Sequence, residues 1–316
     1  MTATPELDSA LVVAGHGRHV LVETPDGQRL ICHPRGKKSQ AVVGDRVLWQ
    51  RSQDEGTIEK IEPRRNLFYR QDEIRTKSFA ANLDQVLILL AADPEFSDMQ
   101  LTRALVAAEA AGIPALIVLN KSDLAEPFAR AWARLAPYRH MDYTVLPLRL
   151  KGKQSTAQTT DATTTDALTT LKEQLHHKTT LVLGPSGAGK STLINQLVPG
   201  ALVQTGEVSR ALNSGKHTTT STSLYWVDAA RQTALIDSPG FQEFGLHHIA
   251  PTQLATCMPD IARHTGNCKF YNCTHLHEPG CGVISSVNSG DSPDGLDPRR
   301  YKLYSDLFAE LSQSRY

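Results

Sequence analysis

The sequence predicts a multidomain protein with an N-terminal β-barrel, a central α/β domain and a C-terminal α-helical unit. Between Ala10 and Ile61, five short strand-like runs are separated by turn residues, a pattern typical of a small barrel. From Ala80 onward, apolar runs alternate with helical patterns, which indicates a parallel sheet covered by helices. After Pro251, a helical pattern is followed by closely spaced cysteine and histidine residues. The expected domain bounds are 1–75, 76–245 and 246–316.

The composition limits the class of protein. The chain has 316 residues, with 33 basic and 33 acidic side chains and a formal net charge of +0. The net charge of the chain therefore does not indicate a nucleic-acid partner, and any basic surface must be confined to part of the molecule. Five cysteines in a chain of this length do not resemble a secreted disulfide framework. Because no apolar signal segment or membrane-spanning run is present, we expect a soluble cytoplasmic protein without a membrane partner, and a monomer by default.

The N-terminal barrel is expected to be an OB-fold, because its five short runs are separated by turns that contain glycine and proline. Two basic stretches, at 33–38 and 64–77, are candidates for contact with phosphates. Within the second stretch, Phe68 and Tyr69 are candidates for stacking on bases. The alternative is a solvated loop followed by a charged linker.

The central domain is expected to alternate strands with helices, and the carboxyl ends of its strands are where an open α/β sheet binds ligands. The expected elements are a strand at 84–90, a helix between 97 and 112, a strand at 113–119, a helix at about 127–139, a strand at 143–148, a solvated low-complexity insertion at 154–170, a helix that resumes at 167–176 and a strand at 180–183.

A glycine-rich turn follows the last of these strands and precedes a helical pattern. It reads G-P-S-G-A-G-K-S and fits G-x-x-x-x-G-K-[ST], in which glycines let backbone N–H groups wrap around phosphates. Lys190 is expected to reach the β- and γ-phosphates, and Ser191 to hold Mg²⁺. The alternative is a glycine turn before an ordinary helix. The residues expected to bind nucleotide here are Gly184, Pro185, Ser186, Gly187, Ala188, Gly189, Lys190, Ser191 and Thr192.

A second motif, Asn120-Lys121-Ser122-Asp123, indicates which base is bound. It follows a predicted strand and matches N-K-x-D, in which the aspartate accepts hydrogen bonds from the ring N–H and the exocyclic amine of guanine. Adenine offers no such pair of donors, so a buried carboxylate at Asp123 would reject adenine. On its own, the tetrapeptide could equally be a loop with a helix cap.

A third motif, Asp237-Ser238-Pro239-Gly240, matches D-x-P-G and also follows an apolar run. Asp237 is expected to hold Mg²⁺ through water, and the Gly240 N–H is expected to meet the γ-phosphate. This tetrapeptide alone is as weak a signal as the guanine motif, but three such motifs, each after an apolar strand, predict a guanine-nucleotide site.

The order of the motifs is unusual, because the guanine motif precedes the P-loop whereas most GTPases have the reverse order. A circular permutation explains this, since the same sheet can be closed with the chain opened elsewhere. With these motifs and Gly215-Lys216-His217-Thr218-Thr219-Thr220, the sequence resembles the circularly permuted GTPase family RsgA, also called YjeQ. The resemblance covers nearly the whole chain. It implies that GTP is hydrolysed to GDP and phosphate with Mg²⁺, and that the protein assists late maturation of the small ribosomal subunit, with the barrel touching ribosomal RNA.

The resemblance also implies a switch at 206–222. A threonine there, for which we favour Thr219, would close over Mg²⁺ and the γ-phosphate. Phe241 stands where Ras-like enzymes have a glutamine that orients the attacking water, so another group must position that water. His217 can do so near neutral pH, and Lys190 completes the predicted catalytic set with Thr219. The alternatives are a β-rich threonine stretch and a surface histidine.

One expected base contact is missing from the sequence. Guanine-binding proteins usually follow the strand at 143–148 with a Ser-Ala-Lys-like turn, whereas this chain has Leu148-Arg149-Leu150-Lys151. That contact is therefore degenerate, supplied by backbone alone, or displaced.

The C-terminal unit carries a candidate metal site. Cys268, Cys273, His275 and Cys281 are spaced as C-x₄-C-x-H-x₅-C, a set of three thiolates and one imidazole suited to one structural Zn²⁺. His277 is a competing imidazole, and redox chemistry is the alternative use of such a cluster. The RsgA resemblance supports the metal.

Two other classes of protein remain open at this stage. One is a P-loop ATPase or small-molecule kinase with a chance N-K-S-D sequence. The other is an RNA-binding assembly module whose nucleotide domain is a sensor with little catalysis.

Overall fold

The computed structural model describes residues 7–17, 19–36, 41–52, 55–72, 76–150, 162–201, 222–238, 244–288 and 295–313. Among these, no helix combines the length and the apolar character that crossing a bilayer requires.

The N-terminal residues form a closed five-stranded barrel, as the sequence predicts. Strand β1 pairs with both β2 and β4, while β3 runs parallel to β5, so the order β1-β2-β3-β5-β4 returns to β1. The apolar side chains of Val12, Val22 and Trp49 are buried inside it. The strands are β1 Asp8–His16, β2 His19–Glu23, β3 Arg29–Pro34, β4 Arg46–Ser52 and β5 Glu55–Ile61.

A hairpin of β6 (Leu67–Gln71) and β7 (Thr76–Ala81) joins the barrel to the rest of the chain. The interpretation of this stretch as a solvated linker is wrong, because both strands pair along their length. Phe68 is fully buried, and its ring lies 5.6 Å from that of Phe244, so it is not available to stack on a base. The expected boundary between 75 and 76 falls inside this hairpin.

The central domain is a six-stranded sheet in the order β10-β9-β8-β11-β13-β12. The first five strands are parallel, and β12 is antiparallel to β13. Strand β8 is buried on both faces, which explains its uninterrupted apolar sequence. The strands are β8 Gln85–Ala91, β9 Ala115–Asn120, β10 Thr144–Pro147, β11 Thr179–Leu183, β12 Ser223–Trp226 and β13 Ala234–Asp237.

Helices cover this sheet, and two of them differ from expectation. The single helix predicted at 127–139 is broken at Leu135, and the helix before β11 begins within the stretch predicted as a solvated insertion. The break at Leu135 goes with Pro137 in the first turn of α3, because the residues before a proline are disfavoured in a continuous helix. The second prediction was misled by threonine-rich composition, whose weak helix propensity is overridden by tertiary packing. The helices are α1 Asp98–Ala110, α2 Ala125–Arg134, α3 Ala136–His140, α4 Ala162–Leu175 and α5 Lys190–Leu197.

The C-terminal unit is helical and packs on the central domain. Arg300 is buried and donates to the Asp260 carboxylate (2.7 Å from Nε to Oδ2) and to the Thr102 hydroxyl of α1 (2.8 Å). Such a buried guanidinium needs these partners, because an unpaired charge away from water is costly. The helices are α6 Pro251–Leu254, a 3₁₀ turn Ala255–Cys257, α7 Pro259–Thr265, α8 Gly282–Asn288 and α9 Pro298–Leu311; the sequence did not predict α8.

Two of the contacts that the barrel and hairpin make with the central domain lie close to predicted nucleotide-binding segments. At the first, the Gly15 N–H donates to the Thr222 carbonyl (3.1 Å), and Ala14 of β1 pairs with Ser223 of β12. Beside this pairing, the buried Glu23 carboxylate accepts from the Trp226 indole (2.8 Å). These contacts involve Thr222, the last residue of the predicted switch at 206–222, and Ser223 and Trp226 of the strand that follows it.

At the second place, the hairpin holds the chain just beyond the D-x-P-G motif. The Gln71 N–H donates to the Gly245 carbonyl (3.1 Å), and the His247 N–H donates to the Gln71 carbonyl (3.0 Å). Gly245 is tightly enclosed, since a Cβ there would lie 2.3 Å from Asp72 Oδ1. The hairpin is therefore fitted closely to the central domain.

Candidate functional site

The glycine-rich turn lies at the carboxyl edge of the parallel sheet, between the central strand β11 and the start of α5. Gly184 is obligatory for this turn, because a Cβ there would lie 2.2 Å from the Leu89 carbonyl oxygen of β8. Gly189 has φ +107°, and a Cβ there would lie 2.6 Å from Asn120 Nδ2. The backbone thus lies against two neighbouring strands, with the first turn of α5 directed at the loop.

Asn120 ties the guanine motif to the P-loop. Its Nδ2 donates to the Ala188 carbonyl (2.9 Å), although the two residues are 68 positions apart in the chain. Asn120 is 3% exposed and stands at the carboxyl end of β9, two strands away from β11. The sequence-predicted phosphate and base motifs therefore form one continuous site.

The other residues of the guanine motif surround this contact. Lys121 has φ +66°, and its ammonium donates to the Asp93 carbonyl in the loop after β8. The Ser122 N–H donates to the Leu148 carbonyl (3.1 Å). Asp123 is exposed, so its carboxylate is not already buried as the sequence argument assumed. A bound base would have to exclude the water itself for an unpaired charge to select against adenine.

Lys190 and Asp237 form the charged centre of the site. The Lys190 ammonium donates to the carbonyls of Gly184 (2.5 Å) and Pro185 (3.2 Å). Burial lowers the pKa of Lys190, and the nearby Asp237 charge opposes that shift. Burial likewise raises the pKa of Asp237 to about 6, against the pull of Lys190.

The Asp237 carboxylate is suited to a cation. It is 1% exposed at the carboxyl end of β13, and its Oδ1 has no hydrogen-bond partner among the described residues. Buried carboxylate oxygens without partners are uncommon, and hard cations such as Mg²⁺ take oxygen ligands. Ser191, which the sequence also predicts as a Mg²⁺ ligand, is the second residue of α5 beside Lys190. The residues present therefore fit Mg²⁺ bound together with a nucleotide.

Three predicted site residues, His217, Thr219 and Gly240, lie outside the described residues, as does Phe241. Their roles stay predictions, and the described part of the site consists of the P-loop, the guanine motif and Asp237.

The C-terminal cysteines and histidine come together as one cluster. The ligand atoms of Cys268, Cys273, His275 and Cys281 all lie within 4.8 Å of one another. The Cys268 and Cys281 sulfurs are 3.9 Å apart, and His275 Nδ1 is 3.4 Å and 3.6 Å from them. Tetrahedral Zn²⁺ with Zn–S of about 2.3 Å places two sulfurs roughly 3.8 Å apart, so the set fits such an ion. The competing His277 is exposed and outside the cluster.

Sequence reasoning missed the groups that hold this cluster in shape. The Glu278 carboxylate accepts from the Thr274 N–H (2.8 Å) and the Leu276 N–H (3.2 Å), which fixes the turn around His275. The hydroxyl of Tyr301 donates to the His275 carbonyl (2.8 Å) from α9. An acidic residue between His275 and Cys281 was the available signal for the first group. No feature of the sequence near the cluster indicated that Tyr301 would bond to it.

The chain is similar to known proteins along its whole length. A family model described as RsgA GTPase matches residues 61–247. A curated relative from Variovorax paradoxus (strain S110), "Small ribosomal subunit biogenesis GTPase RsgA", is 69% identical over 315 residues, covering 100% of this chain and 96% of the relative. A relative of the same name from Paraburkholderia xenovorans (strain LB400) is 49% identical over 308 residues, covering 96% and 93%.

Two solved structures share the fold. The crystal structure of YjeQ from Thermotoga maritima matches with a TM-score of 0.70 and 27% identity, covering 98% of this chain and 100% of that one. The structure of YloQ, described as a circularly permuted GTPase, matches with a TM-score of 0.69 and 27% identity, covering 100% and 99%.

The protein is a GTPase. Its elements are circularly permuted, because β9, which bears the guanine motif, comes before the P-loop strand β11 in the chain, whereas most GTPases have the P-loop first. The sequence-based resemblance is thereby confirmed. The chain belongs to the RsgA GTPase family.

Proposed function

We propose that this GTPase assists late maturation of the small ribosomal subunit in the cytoplasm. We further propose that it acts as a monomer and does not bind a membrane. The names of the relatives that are 69% and 49% identical supply the process. The observation that carries the nucleotide chemistry is the 2.9 Å hydrogen bond from Asn120 to the Ala188 carbonyl. It couples base recognition to phosphate binding, which a chance N-K-S-D sequence would not do.

In this proposal, the residues of 184–192 bind the phosphates through backbone N–H groups and the start of α5. Lys190 exchanges its contacts with the Gly184 and Pro185 carbonyls for the β- and γ-phosphate oxygens, where its charge stabilises the transition state. Asn120 and Lys121 hold the base loop against the P-loop and the loop after β8. Asp123 accepts from guanine, and Ser122 fixes that loop by its N–H.

Ser191, Thr219 and Asp237 are proposed to hold Mg²⁺ with the nucleotide, and the ion would neutralise charge on the β- and γ-phosphates. The unpartnered Oδ1 of Asp237 supports this assignment. Gly240 would donate to the γ-phosphate, and His217 would position the attacking water in place of a glutamine. These roles rest on sequence and resemblance.

The C-terminal cluster is proposed to hold one structural Zn²⁺ through Cys268, Cys273, His275 and Cys281. The distances fit a closed tetrahedral set, which leaves no position for substrate. Cytoplasmic thiols are kept reduced, which favours metal binding over a disulfide.

The domain division at 1–75, 76–245 and 246–316 is retained as a proposal, with the hairpin bridging its first boundary. The barrel is proposed to contact ribosomal RNA. The barrel contacts Thr222 and Ser223 at the end of the predicted switch, and the hairpin contacts Gly245 shortly after the D-x-P-G motif. A movement of the barrel on docking would therefore be transmitted to both segments over a few residues.

The test is phosphate release from GTP and from ATP, with and without purified small ribosomal subunits. We expect slow hydrolysis of GTP alone, strongly stimulated by the subunits, and negligible use of ATP. Equal use of ATP would contradict guanine selectivity. Hydrolysis of GTP that ribosomal subunits do not stimulate would agree with GTPase activity but would contradict the small ribosomal subunit as the activating partner.

A further test separates catalysis from sensing. If Lys190→Ala and His217→Ala both left ribosome-stimulated phosphate release unchanged, the chain would be an RNA-binding module with a nucleotide sensor. Retention of subunit binding with loss of phosphate release would support the catalytic roles.

A further inference from the structure

The segment Leu148–Leu150 replaces the turn that usually completes a guanine pocket, and the structure ties it firmly to the guanine motif. The Leu148 N–H donates to the Leu119 carbonyl (2.8 Å) at the end of β9. The Leu148 carbonyl accepts from the Ser122 N–H (3.1 Å). Two backbone hydrogen bonds, together with the buried Leu148 side chain, therefore hold the start of this segment beside the loop that carries Asp123.

Both backbone polar groups of Leu150, its N–H and its carbonyl, are hydrogen-bonded. Its N–H donates to Asn120 Oδ1 (3.2 Å), and its carbonyl accepts from Gln196 Nε2 (2.6 Å) on the P-loop helix α5. Leu150 is 4% exposed, and its Cδ1 would be 3.2 Å from a Cβ added at Gly189. The segment is thus packed directly against the turn that enters α5.

These contacts form a closed circuit around the predicted base site. Asn120 bonds to Ala188 of the P-loop with its amide nitrogen and to Leu150 with its amide oxygen. Gln196 closes the circuit from α5 and belongs to none of the sequence motifs. Every side-chain donor and acceptor of Asn120 and Gln196 used here meets a backbone group, so these hydrogen bonds do not require particular side chains at 148–150.

We infer that Gln196 is a positioning residue for the guanine site, because it holds the Leu150 carbonyl of the segment that stands where guanine-binding proteins usually have the base-contacting turn. The inference rests on the proposed binding of guanine nucleotides, for which the backbone of 148–150 is the expected second wall of the base pocket. A wall made of backbone recognises the base only while it is held within a fraction of an ångström. Without the Gln196 bond, the Leu150 carbonyl has lost its anchor to α5, and the wall can move away from the base while the phosphate loop keeps its shape.

The test is Gln196→Met, which keeps the length of the side chain and its helix propensity but removes the donor. Loss of one neutral hydrogen bond predicts about fivefold weaker binding of GDP. Titration with a fluorescent GDP analogue measures this affinity, and competition by pyrophosphate, which engages the phosphate loop alone, is expected to be unchanged. In steady state, KM for GTP rises by a similar factor while kcat is preserved.

Gln196→Glu is the second variant, because a carboxylate oxygen would face the Leu150 carbonyl oxygen and repel it. We expect its GDP affinity to fall at least as far as that of Gln196→Met. Gln313→Met is the matched control, since Gln313 is exposed after the end of α9, and it is expected to behave as wild type.

Two results would overturn the inference: wild-type GDP affinity in Gln196→Met, or equal losses for GDP and pyrophosphate, which would mean a general role in shaping α5. Failure of the proposed function has a different signature. In that case the wild-type protein itself would not prefer GDP to ADP.

Discussion

The substitution Gly184→Ala tests whether close packing of the P-loop on its neighbouring strand sets the catalytic rate. The added Cβ would lie 2.2 Å from the Leu89 carbonyl oxygen, which belongs to the backbone of the buried strand β8, while Gly184 is itself buried directly after β11. Relief of that contact requires a displacement of about 1 Å, and a misplacement of this size can cost about 100-fold in rate. We therefore expect kcat/KM for GTP to fall about 100-fold, which corresponds to about 2.7 kcal/mol.

Two further glycines provide matched controls. Gly187 lies in the same loop with φ +81°, and a Cβ there would be 3.6 Å from Pro94, an ordinary contact. Gly200 has φ +74° beyond α5, and a Cβ there would meet nothing within 4 Å. Both alanine variants carry the left-handed backbone cost of about 1–2 kcal/mol without the collision.

The assay is steady-state phosphate release from GTP, with denaturant unfolding of each variant to record folded stability. Gly187→Ala and Gly200→Ala are expected to lose some stability, and Gly200→Ala to keep wild-type kinetics. If folded Gly184→Ala hydrolyses GTP within about threefold of Gly200→Ala, the reasoning from close packing and displacement is wrong.

Three other changes have defined outcomes. Asp123→Asn places a donor opposite the donors of guanine, so GDP affinity should fall about 100-fold while xanthine diphosphate gains, measured by competition. Cys281→Ser should lower the bound zinc per protein measured by elemental analysis, whereas His277→Ala, outside the cluster, should keep it. Burial, together with the neighbouring His247 charge, lowers the pKa of His248, whose Nδ1 has no hydrogen-bond partner among the described residues. His248 in the unfolded chain therefore binds a proton more tightly than in the folded chain, so the free energy of unfolding should fall as pH drops below 6.5. The variant His248→Phe keeps a ring beside Tyr69. Its unfolding midpoint, measured with zinc in excess, should depend less on pH than that of the wild type.

The motifs were readable from the sequence because their chemistry is local. A P-loop needs glycines, a lysine and a hydroxyl at fixed spacing between a strand and a helix, and all of these are contiguous in 180–197. The barrel was readable for a similar reason, since turn residues divide it into short strands. The order of the motifs along the chain indicated the circular permutation, and the family resemblance agreed with it.

Contacts between distant segments were beyond sequence reasoning. Nothing near Gln196 announces a bond to Leu150, which lies 46 positions earlier in the chain. The hairpin at 67–81 was hidden because its strands contain arginine and lysine, although Phe68 and Phe79 fill the core beneath them. The charged residues of a strand indicate only that one of its faces is exposed. The register in which the strands pair is set by the apolar residues of the opposite, buried face.

Strand β12 is the last strand of the central sheet, and barrel strand β1 lies along its outer edge through Ala14 and Gly15. An uncovered strand edge is a template for pairing with another chain. A fragment cut to 76–245 would expose that edge and remove the Glu23 acceptor of the Trp226 indole. We therefore expect a fragment that lacks β1 to self-associate more readily than the full chain.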